Sequence, residues 1–293
     1  TTKDDPSNPL QKSGHACSLQ KGEDWNITQI CARPLTERGN CTLGRETALQ
    51  KIEWVDGWPQ LQTATHHPDM TVEIEVDAPA QPAPITAGGG VCPGQSPAGQ
   101  LKTLRVPLEA ERDYSLTARP GWLRLYGGQT LSSHHRQTCL PGGGRAFTYG
   151  RTTLDFAPPE LPAGGRLILY YDTCNWIYAY VTWDEVQHCR ILRVMQCDFK
   201  DFSYGSEAVF LPEGAVSAGK VDHAEARFFY RTEGCDWQPL GGVQPAGHLS
   251  DDHINHRRKR CAFTGAMVGI CAQDMDAHES YADFAGFCYR EMQ

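Results

Sequence analysis

The sequence predicts an all-β protein, and three observations carry this prediction. Short runs of β-branched and aromatic residues recur along the chain, each bounded by Gly, Pro, Asp or Asn. Polar turns such as "DTCNW" and "TEGCDW" separate neighbouring runs, as in β-hairpins. No segment has the pattern of a convincing helix. The spacing of the runs favours a β-sandwich.

The predicted strands have apolar residues either in alternation or in continuous runs. In chain order they are Met70–Val76, Trp122–Gly127, Arg166–Asp172, Trp176–Asp184, Arg190–Asp198, Glu225–Thr232 and Gly265–Asp274. The first of them alternates strictly, which is typical of a half-buried strand. The two polar turns predict hairpins after the third strand and after the sixth.

A segment rich in Pro, Ala and Gly divides the chain into two parts. Residues 78–100, "APAQPAPITAGGGVCPGQSPAGQ", have the composition of a linker. Residues 1–77 precede it, and residues 101–293 form a body large enough to fold alone. A core of fewer than ~80 residues is marginal. The N-terminal part, which contains three of the tryptophans, is therefore expected to pack against another part of the protein.

Composition excludes several classes of partner. The chain has 293 residues, 40% of them hydrophobic, with a net charge of -8. Nucleic acids and anionic membranes favour a basic face, so neither is expected as a partner. No apolar run reaches the ~20 residues of a spanning helix, and the first residues do not resemble a signal peptide, so we expect a cytoplasmic location.

The twelve cysteines form no CxxC pair, which disfavours a zinc ribbon; we expect reduced, mostly buried thiols.

Two residues near the N-terminus are candidates for ligand binding. Arg45 follows Gly44 at the start of a strand-like run, and its guanidinium suits carboxylates and vicinal hydroxyls. The alternative is an ion pair with Glu46 or Glu53. His15 follows a glycine that allows close backbone approach. The alternative there is a core histidine whose hydrogen bonds are satisfied.

Three further features lie near the C-terminus. Phe263 is a candidate wall for a sugar, with core packing as the alternative, and the basic run His253–Cys261 is predicted to be a solvated loop. Asp283 stands between apolar residues, so its carboxylate needs a partner, and calcium is one candidate. No GxSxG, P-loop, HExxH or dinucleotide-binding motif is present, and no spacing of Asp and Glu identifies a catalytic pair.

Seven blocks of the sequence resemble a known family. They are "NPLQKSGHA", "ARPL", "CTLGRETALQKIEWVDGWP", "LTARPGWLRLYGGQTLSSHHRQT", "YYDTCNWIYAYVTWDE", "FTGAMVGICAQD" and "ADFAGFCYRE". Together, and in this order, they resemble the C-terminal half of glycoside hydrolase family 43 β-xylosidases and α-L-arabinofuranosidases.

The resemblance implies a fold and a reaction. The fold is a five-bladed β-propeller, of which residues 1–77 are the last part, followed by a jelly-roll (concanavalin-like) β-sandwich. The reaction is hydrolysis, with inversion, of terminal β-xylosyl or α-L-arabinofuranosyl residues of xylo-oligosaccharides. It uses an Asp base and a Glu acid about 6.5–9.5 Å apart, with a second Asp that orients the acid. The family's blocks that carry these three carboxylates lie upstream of the matched ones, so no residue here is assigned to them.

Supporting roles are implied for three residues. Arg45 resembles the arginine that contacts the glycone sugar, His15 the histidine near the central cavity, and Phe263 the aromatic that closes the aglycone side. The resemblance also implies the missing propeller blades as partners, a homo-oligomer, no required cofactor and calcium as a candidate structural ion. The chain alone is expected to be inactive. Two alternatives stay open, a non-catalytic carbohydrate-binding or structural sandwich and a pseudoenzyme.

The chain departs from the family pattern at two places. The run "QICARPL" replaces the usual His-Leu-Thr-Gly-Arg-Pro-Leu, so Gln29, Cys31 and Ala32 change the cavity. The family's sandwich normally opens with an Asp-Asp-Phe strand that would share calcium with Asp283, and here that region reads "GGGVCPGQSPAGQLKTLR", without the carboxylates.

Overall fold

The protein is described by a computed structural model. It describes residues 5–35, 39–65, 67–73, 109–133, 138–142, 147–156, 164–213, 216–222, 225–258, 262–276 and 279–291. Two compact units are present: residues 1–85 with 250–265, and residues 86–249 with 266–293. The all-β prediction is confirmed, because strands dominate both units. The predicted boundaries of the linker lie among residues 74–108, outside the described residues, and stay predictions.

The first unit contains a four-stranded antiparallel sheet, called sheet A. Its strands lie in sequence order and are β1 (Gln11–Lys21), β2 (Asp24–Ala32), β3 (Glu46–Val55) and β4 (Trp58–Leu61). The register of β1 against β2 shifts on both sides of Gly14, and His15 has a φ of 48° there. The unit also contains helix α1, Asp251–Arg258.

The second unit contains two seven-stranded sheets. Sheet B has the order β12-β11-β10-β9-β17-β7 with β13 beside β11, and sheet C has the order β16-β15-β14-β8-β18-β6-β5. The strands are β5 (Tyr114–Ser115), β6 (Leu123–Tyr126), β7 (Thr138–Gly142), β8 (Phe147–Asp155), β9 (Gly164–Asp172), β10 (Asn175–Asp184), β11 (Cys189–Asp198), β12 (Asp201–Tyr204), β13 (Val209–Leu211), β14 (Val216–Asp222), β15 (Glu225–Thr232), β16 (Gln238–Pro245), β17 (Met267–Gln273) and β18 (Tyr281–Glu291). A short 3-10 helix covers Gly247–Leu249.

Sheets B and C pack face to face. Gly165 of β9 lies so close to sheet C that a Cβ there would be 2.7 Å from the Leu154 side chain and 3.0 Å from Ala282. Leu169 and Ile177 of sheet B and Phe284 of sheet C are almost fully buried. The second unit is therefore a β-sandwich, and burial of these apolar faces is its main source of stability.

Most of the predicted strands are confirmed. Those from Trp122 onward correspond to β6, β9, β10, β11, β15 and β17. The predicted hairpins are also present, because β9 pairs with β10 and β15 pairs with β16, both antiparallel.

Two predictions of local structure are wrong. The strand expected at Met70–Val76 is irregular over residues 70–73, and its remainder lies outside the described residues. The Gln50 side-chain amide instead binds the backbone N–H and C=O of Asp69, just before this segment. The basic run expected to be a loop begins inside helix α1, in which Ile254 is buried.

No helix in the described part of the chain is long and apolar enough to cross a membrane.

The described cysteines differ in exposure. Eight free thiols are found among them: Cys31, Cys41, Cys197 and Cys271 are buried, Cys174 and Cys189 are partly buried, and Cys17 and Cys235 are exposed. Burial raises the pKa of the Cys41 thiol to about 12. A buried, protonated thiol is a poor nucleophile.

We therefore expect selective alkylation of the native chain. Iodoacetamide should modify Cys17 and Cys235 rapidly and leave Cys31, Cys41, Cys197 and Cys271 unmodified until the protein is unfolded, because only exposed thiols can form accessible thiolate. Mass spectrometry of peptides from native and urea-unfolded samples measures the difference. Equal labelling of Cys41 and Cys17 in the native chain would contradict the described burial.

Candidate functional site

Two glycines bring distant parts of the first unit together. A Cβ on Gly44 would lie 2.4 Å from the backbone N of Gly265, and one on Gly265 would lie 2.4 Å from the carbonyl C and O of Leu43. Both residues have positive φ, 71° and 76°. Only glycine permits this conformation and this contact together. The crossing places the Gly-Arg-Glu step beside Phe263.

Arg45 is held on three sides at this crossing. Its backbone N–H donates to the carbonyl of Phe263 at 3.1 Å. Its Nη1 donates to Asp251 Oδ2 at 3.2 Å, and its guanidinium carbon lies 5.0 Å from the centre of the Phe263 ring. The Arg45 side chain is 15% exposed, so its charge is largely desolvated but still accessible. A fixed guanidinium of this kind can bind hydroxyl or carboxylate oxygens.

Asp251 is placed by the start of helix α1. The Ser250 hydroxyl accepts the backbone N–H of His253, so Ser250 is the N-cap, and Asp251 is the first helical residue. Its own N–H donates to the carbonyl of Cys41 at 3.3 Å. The Asp251 side chain is 0% exposed. A carboxylate so deeply buried requires a charged partner, and Arg45 is one.

Asp252 forms a second link between helix α1 and the rest of the first unit. Its carboxylate accepts the Cys41 N–H at 2.9 Å and forms an ion pair with Lys12 at 2.6 Å. Burial of this carboxylate acts to raise its pKa, but Lys12 and the Cys41 N–H outweigh burial, so the pKa lies below the usual 3.8. The charged form of Asp252 therefore stabilises the position of α1.

This pKa predicts a pH dependence. A carboxyl group whose pKa is lower when folded contributes stability above its unfolded pKa and loses it as the pH falls through the folded pKa. Asp252→Asn should therefore lower the free energy of unfolding of the first unit by about 1–2 kcal/mol at neutral pH, and by less near pH 3. Urea unfolding at the two pH values measures both. The control is Asp24→Asn, because Asp24 pairs with Lys51 at 3.7 Å on the surface and should matter little. A loss that is the same at both pH values would contradict the assignment.

The ion pair considered as the alternative role of Arg45 has a different acceptor. Glu46 is bound by Arg33 through two hydrogen bonds of 2.8 and 2.6 Å. Arg45 pairs instead with Asp251, 206 residues away in the chain. Asp251 is not identifiable from the sequence, because nothing in "LSDDHINH" distinguishes it from an ordinary carboxylate at the start of a helix.

The structure unites two of the three predicted sugar-binding residues. Arg45 and Phe263 are in contact, and the Phe263 ring is about half exposed, so core packing is the wrong interpretation for it. His15 is exposed on β1, which contradicts a core histidine. Among the described residues, no hydrogen bond or ion pair joins His15 to Arg45, Asp251 or Phe263. Its role in ligand binding stays a prediction.

Asp283 lies on β18 in the second unit and is paired with arginines. Its two oxygens accept hydrogen bonds from Arg124 at 2.8 and 2.9 Å, and Arg119 Nη1 lies 3.2 Å from one of them. The expected need for a partner is thus met by cations of the protein itself. The expected absence of a partner carboxylate beside Asp283 is wrong, because Asp155 of β8 lies directly opposite it. No group of three His, Cys, Asp or Glu side chains among the described residues is placed to hold a metal. Calcium binding at Asp283 stays a prediction, and the two arginines argue against it.

Comparison with known proteins gives two matches to families. Residues 95–290 match the description "Beta xylosidase C-terminal Concanavalin A-like domain", and residues 1–59 match "Glycosyl hydrolases family 43". A putative β-xylosidase of Escherichia coli (strain K12) is 34% identical over 305 residues, covering 97% of this chain and 55% of that protein. A β-xylosidase of Bacillus subtilis (strain 168) is 32% identical, with 98% and 55% covered.

A solved structure is similar over the same extent. The crystal structure of xylan β-1,4-xylosidase from Bacillus halodurans C-125 matches with a TM-score of 0.81 and 30% identity, covering 99% of this chain and 56% of that one. The chain therefore spans about half the length of the curated relatives it matches.

Proposed function

Since this chain belongs to glycoside hydrolase family 43, we propose that it is the C-terminal half of an exo-acting, inverting glycosidase. The enzyme would release terminal β-xylosyl residues, and α-L-arabinofuranosyl residues as the second candidate, from xylo-oligosaccharides. The observation that carries this proposal is the Arg45 guanidinium, held between buried Asp251 and half-exposed Phe263. The β-xylosidase relatives support the substrate class.

In this proposal Arg45 binds the sugar in the glycone subsite. The guanidinium offers planar, charged donors to vicinal hydroxyls. Asp251 limits its rotation, so the donors are oriented before the sugar arrives and little reorganisation follows binding. The exposed face of Phe263 can stack on the apolar face of a sugar ring. These groups bind and orient; none of them transfers a proton.

The proton-transferring carboxylates would come from a segment upstream of these residues. Inversion requires a general base and a general acid about 6.5–9.5 Å apart, with a water between the base and the sugar. Sheet A supports this arrangement, because a four-stranded sheet is the unit of one propeller blade. Trp58, at the start of β4 in sheet A, is 73% exposed. An exposed aromatic side chain of this kind is expected where another segment of the enzyme would pack against the sheet. Homo-oligomeric assembly and a cytoplasmic location stay predictions.

The test measures hydrolysis of p-nitrophenyl β-xyloside and α-L-arabinofuranoside. This chain is assayed alone and mixed with a separately made segment that carries the upstream half of a family 43 enzyme. We expect no activity from the chain alone and activity from the mixture. Hydrolysis by the purified chain alone would overturn the assignment of the carboxylates to another segment.

A second arm separates failure of assembly from failure of function. Association of the two halves is measured by size-exclusion chromatography with light scattering. Associated halves that bind xylose but do not hydrolyse either substrate would overturn the glycosidase proposal and favour a pseudoenzyme. If the two halves do not associate, the assay is repeated with both halves joined in one polypeptide. Inactivity of that joined enzyme would also overturn the proposal.

A further inference from the structure

A polar cavity lies on the outer face of sheet C, away from the apolar interior of the sandwich. Its volume is about 410 Å³, and residues of the second unit alone line it, including Arg119, Asp155, Glu279, Tyr281 and Asp283. This volume falls near the lower end of the ~300–1,000 Å³ typical of small-molecule sites. None of Arg45, Asp251 and Phe263 lines it. The cavity therefore requires an explanation separate from the proposed active site.

The strand register builds the floor of this cavity. Asp283 of β18 lies directly opposite Asp155 of β8 on one side and Arg124 of β6 on the other. Because side chains alternate along a strand, these three share the outer face, while Leu154 and Phe284 point into the core. Arg119, from the loop before β6, bridges Asp155 at 2.8 Å and Asp283 at 3.2 Å.

Both arginines are fixed by aromatic rings. The Arg119 guanidinium carbon lies 3.8 Å from the ring centre of Trp122, and that of Arg124 lies 3.5 Å from the ring centre of Tyr281. Each guanidinium plane is thus restrained by an ion pair and a ring together. Donors restrained in this way lose little conformational entropy when a ligand binds.

Some hydrogen-bonding capacity remains for a ligand. Arg119 uses only Nη1 for the two carboxylates, and no further hydrogen bond of Arg119 is found among the described residues. The Asp155 side chain is 35% exposed and accepts a hydrogen bond from Arg119 on Oδ2, and no donor in the described part of the chain binds Oδ1. Tyr281 is 43% exposed and supplies an apolar wall.

The charges decide which ligand fits. The three carboxylates, Asp155, Asp283 and Glu279, disfavour an anion such as phosphate. The arginine pairs of Asp283 disfavour a free cation such as calcium. Neutral hydroxyl groups suit the site, because each can donate to a carboxylate and accept from a guanidinium at once. A ligand with adjacent hydroxyls and an apolar ring face matches this lining.

We propose that this cavity is a second, non-catalytic sugar-binding site that takes a mono- or disaccharide. The choice of a xylose-type sugar rests on the proposed function, whereas the preference for a neutral sugar rests on the cavity itself. Occupation of the site would hold the sandwich on a xylo-oligosaccharide, separately from the site proposed for hydrolysis. The affinity of a small, open, polar site is expected to be weak, with a Kd on the order of 1 mM.

The test is titration of the whole chain with xylobiose, followed by NMR or calorimetry. Two variants remove different parts of the site, Arg119→Ala and Tyr281→Ala. Asp283 keeps both hydrogen bonds to Arg124 when Arg119 is absent, so the fold should survive; circular dichroism checks this for both variants. Each variant should bind xylobiose at least about tenfold more weakly than the unmodified chain.

Two control variants locate the binding. Arg227→Ala removes an exposed ion pair with Glu225 elsewhere on sheet C and should leave the Kd unchanged. Arg45→Ala removes the guanidinium proposed to bind the glycone sugar, so it identifies any xylobiose that binds there rather than in the cavity. Binding that is lost in Arg45→Ala and kept in Arg119→Ala would overturn the second site while supporting the proposed active site.

Two further outcomes would contradict the proposal. Absence of saturable xylobiose binding at concentrations of tens of millimolar, well above the expected Kd of about 1 mM, excludes a sugar site. A melting temperature raised by calcium alone, and no longer raised in Asp283→Asn, would identify a cation site instead. Neither outcome bears on hydrolysis, which the assay of the two halves measures independently.

Discussion

Replacing Arg45 by alanine, in an enzyme that also carries the upstream carboxylates, is expected to lower kcat/KM about 10²–10³-fold. This corresponds to a few kcal/mol of transition-state stabilisation. The guanidinium is 15% exposed and paired with Asp251, which is 0% exposed, so its hydrogen bonds to a sugar form in a poorly solvated site. Such charged hydrogen bonds are stronger than those in water. Steady-state kinetics with an aryl xyloside measures the change.

Arg33→Ala is the matched control for this experiment. Arg33 is also an arginine of the first unit in an ion pair, but its Nε and Nη2 both donate to the Glu46 carboxylate. Its loss should reduce stability and leave kcat/KM within about twofold. Arg45→Lys, which keeps the charge and loses the planar fork, should lie between wild type and alanine. An unchanged kcat/KM in Arg45→Ala would remove Arg45 from the site.

Removal of Asp251 tests the positioning of Arg45. Asp251→Asn should raise KM and lower kcat together, because it frees the guanidinium without removing it. The double variant with Arg45→Ala should be no worse than Arg45→Ala alone if Asp251 acts through Arg45. Additive losses in kcat/KM would instead show that Asp251 contributes independently of Arg45.

Gly265→Ala is expected to destabilise the first unit by roughly 3 kcal/mol or more and to detach residues 250–265 from it. A Cβ at Gly265 would lie 2.4 Å from the carbonyl of Leu43 and 2.7 Å from the backbone N of Gly44. Backbone atoms cannot yield as a flexible side chain can. The positive φ of 76° adds strain for any residue with a Cβ. Urea unfolding and hydrogen exchange of residues 250–265 measure the two effects.

Gly57→Ala separates the conformational part of this loss from the packing part. Gly57 also has a positive φ, 80°, but nothing lies within 4 Å of the position of its Cβ. Its substitution should therefore show the strain of the left-handed conformation alone, about 1–2 kcal/mol. Equal losses for Gly57→Ala and Gly265→Ala would show that the close packing of Gly265 against Leu43 and Gly44 does not contribute to the free energy of unfolding.

The strands of the sandwich could be predicted because their signals are local. In "RLILYYD" and "WIYAYVTWD" the composition, the length and the intervening turn are all visible within a few residues. Met70–Val76 shows the limit of this approach. Its alternation is as regular as that of any confirmed strand, yet residues 70–73 are irregular, because a strand also needs a partner that local pattern does not supply.

Helix α1 was missed for a related reason. It has eight residues, a strongly polar sequence and one buried apolar side chain, Ile254, so it lacks an amphipathic pattern of useful length. The Ser250 cap and the bonds of Asp251 and Asp252 to the first unit stabilise it instead. Such support comes from the tertiary structure.

The sequence by itself determined the all-β class, most strands of the sandwich, the family resemblance, and Arg45 and Phe263 as candidates. The tertiary structure alone decided that these two residues touch, that Arg45 pairs with buried Asp251, and that Asp283 pairs with Arg119 and Arg124. The physical reason is distance along the chain. Asp251 meets Arg45 across 206 residues, and hydrophobic periodicity describes only the few neighbours that share a strand or a turn with each residue.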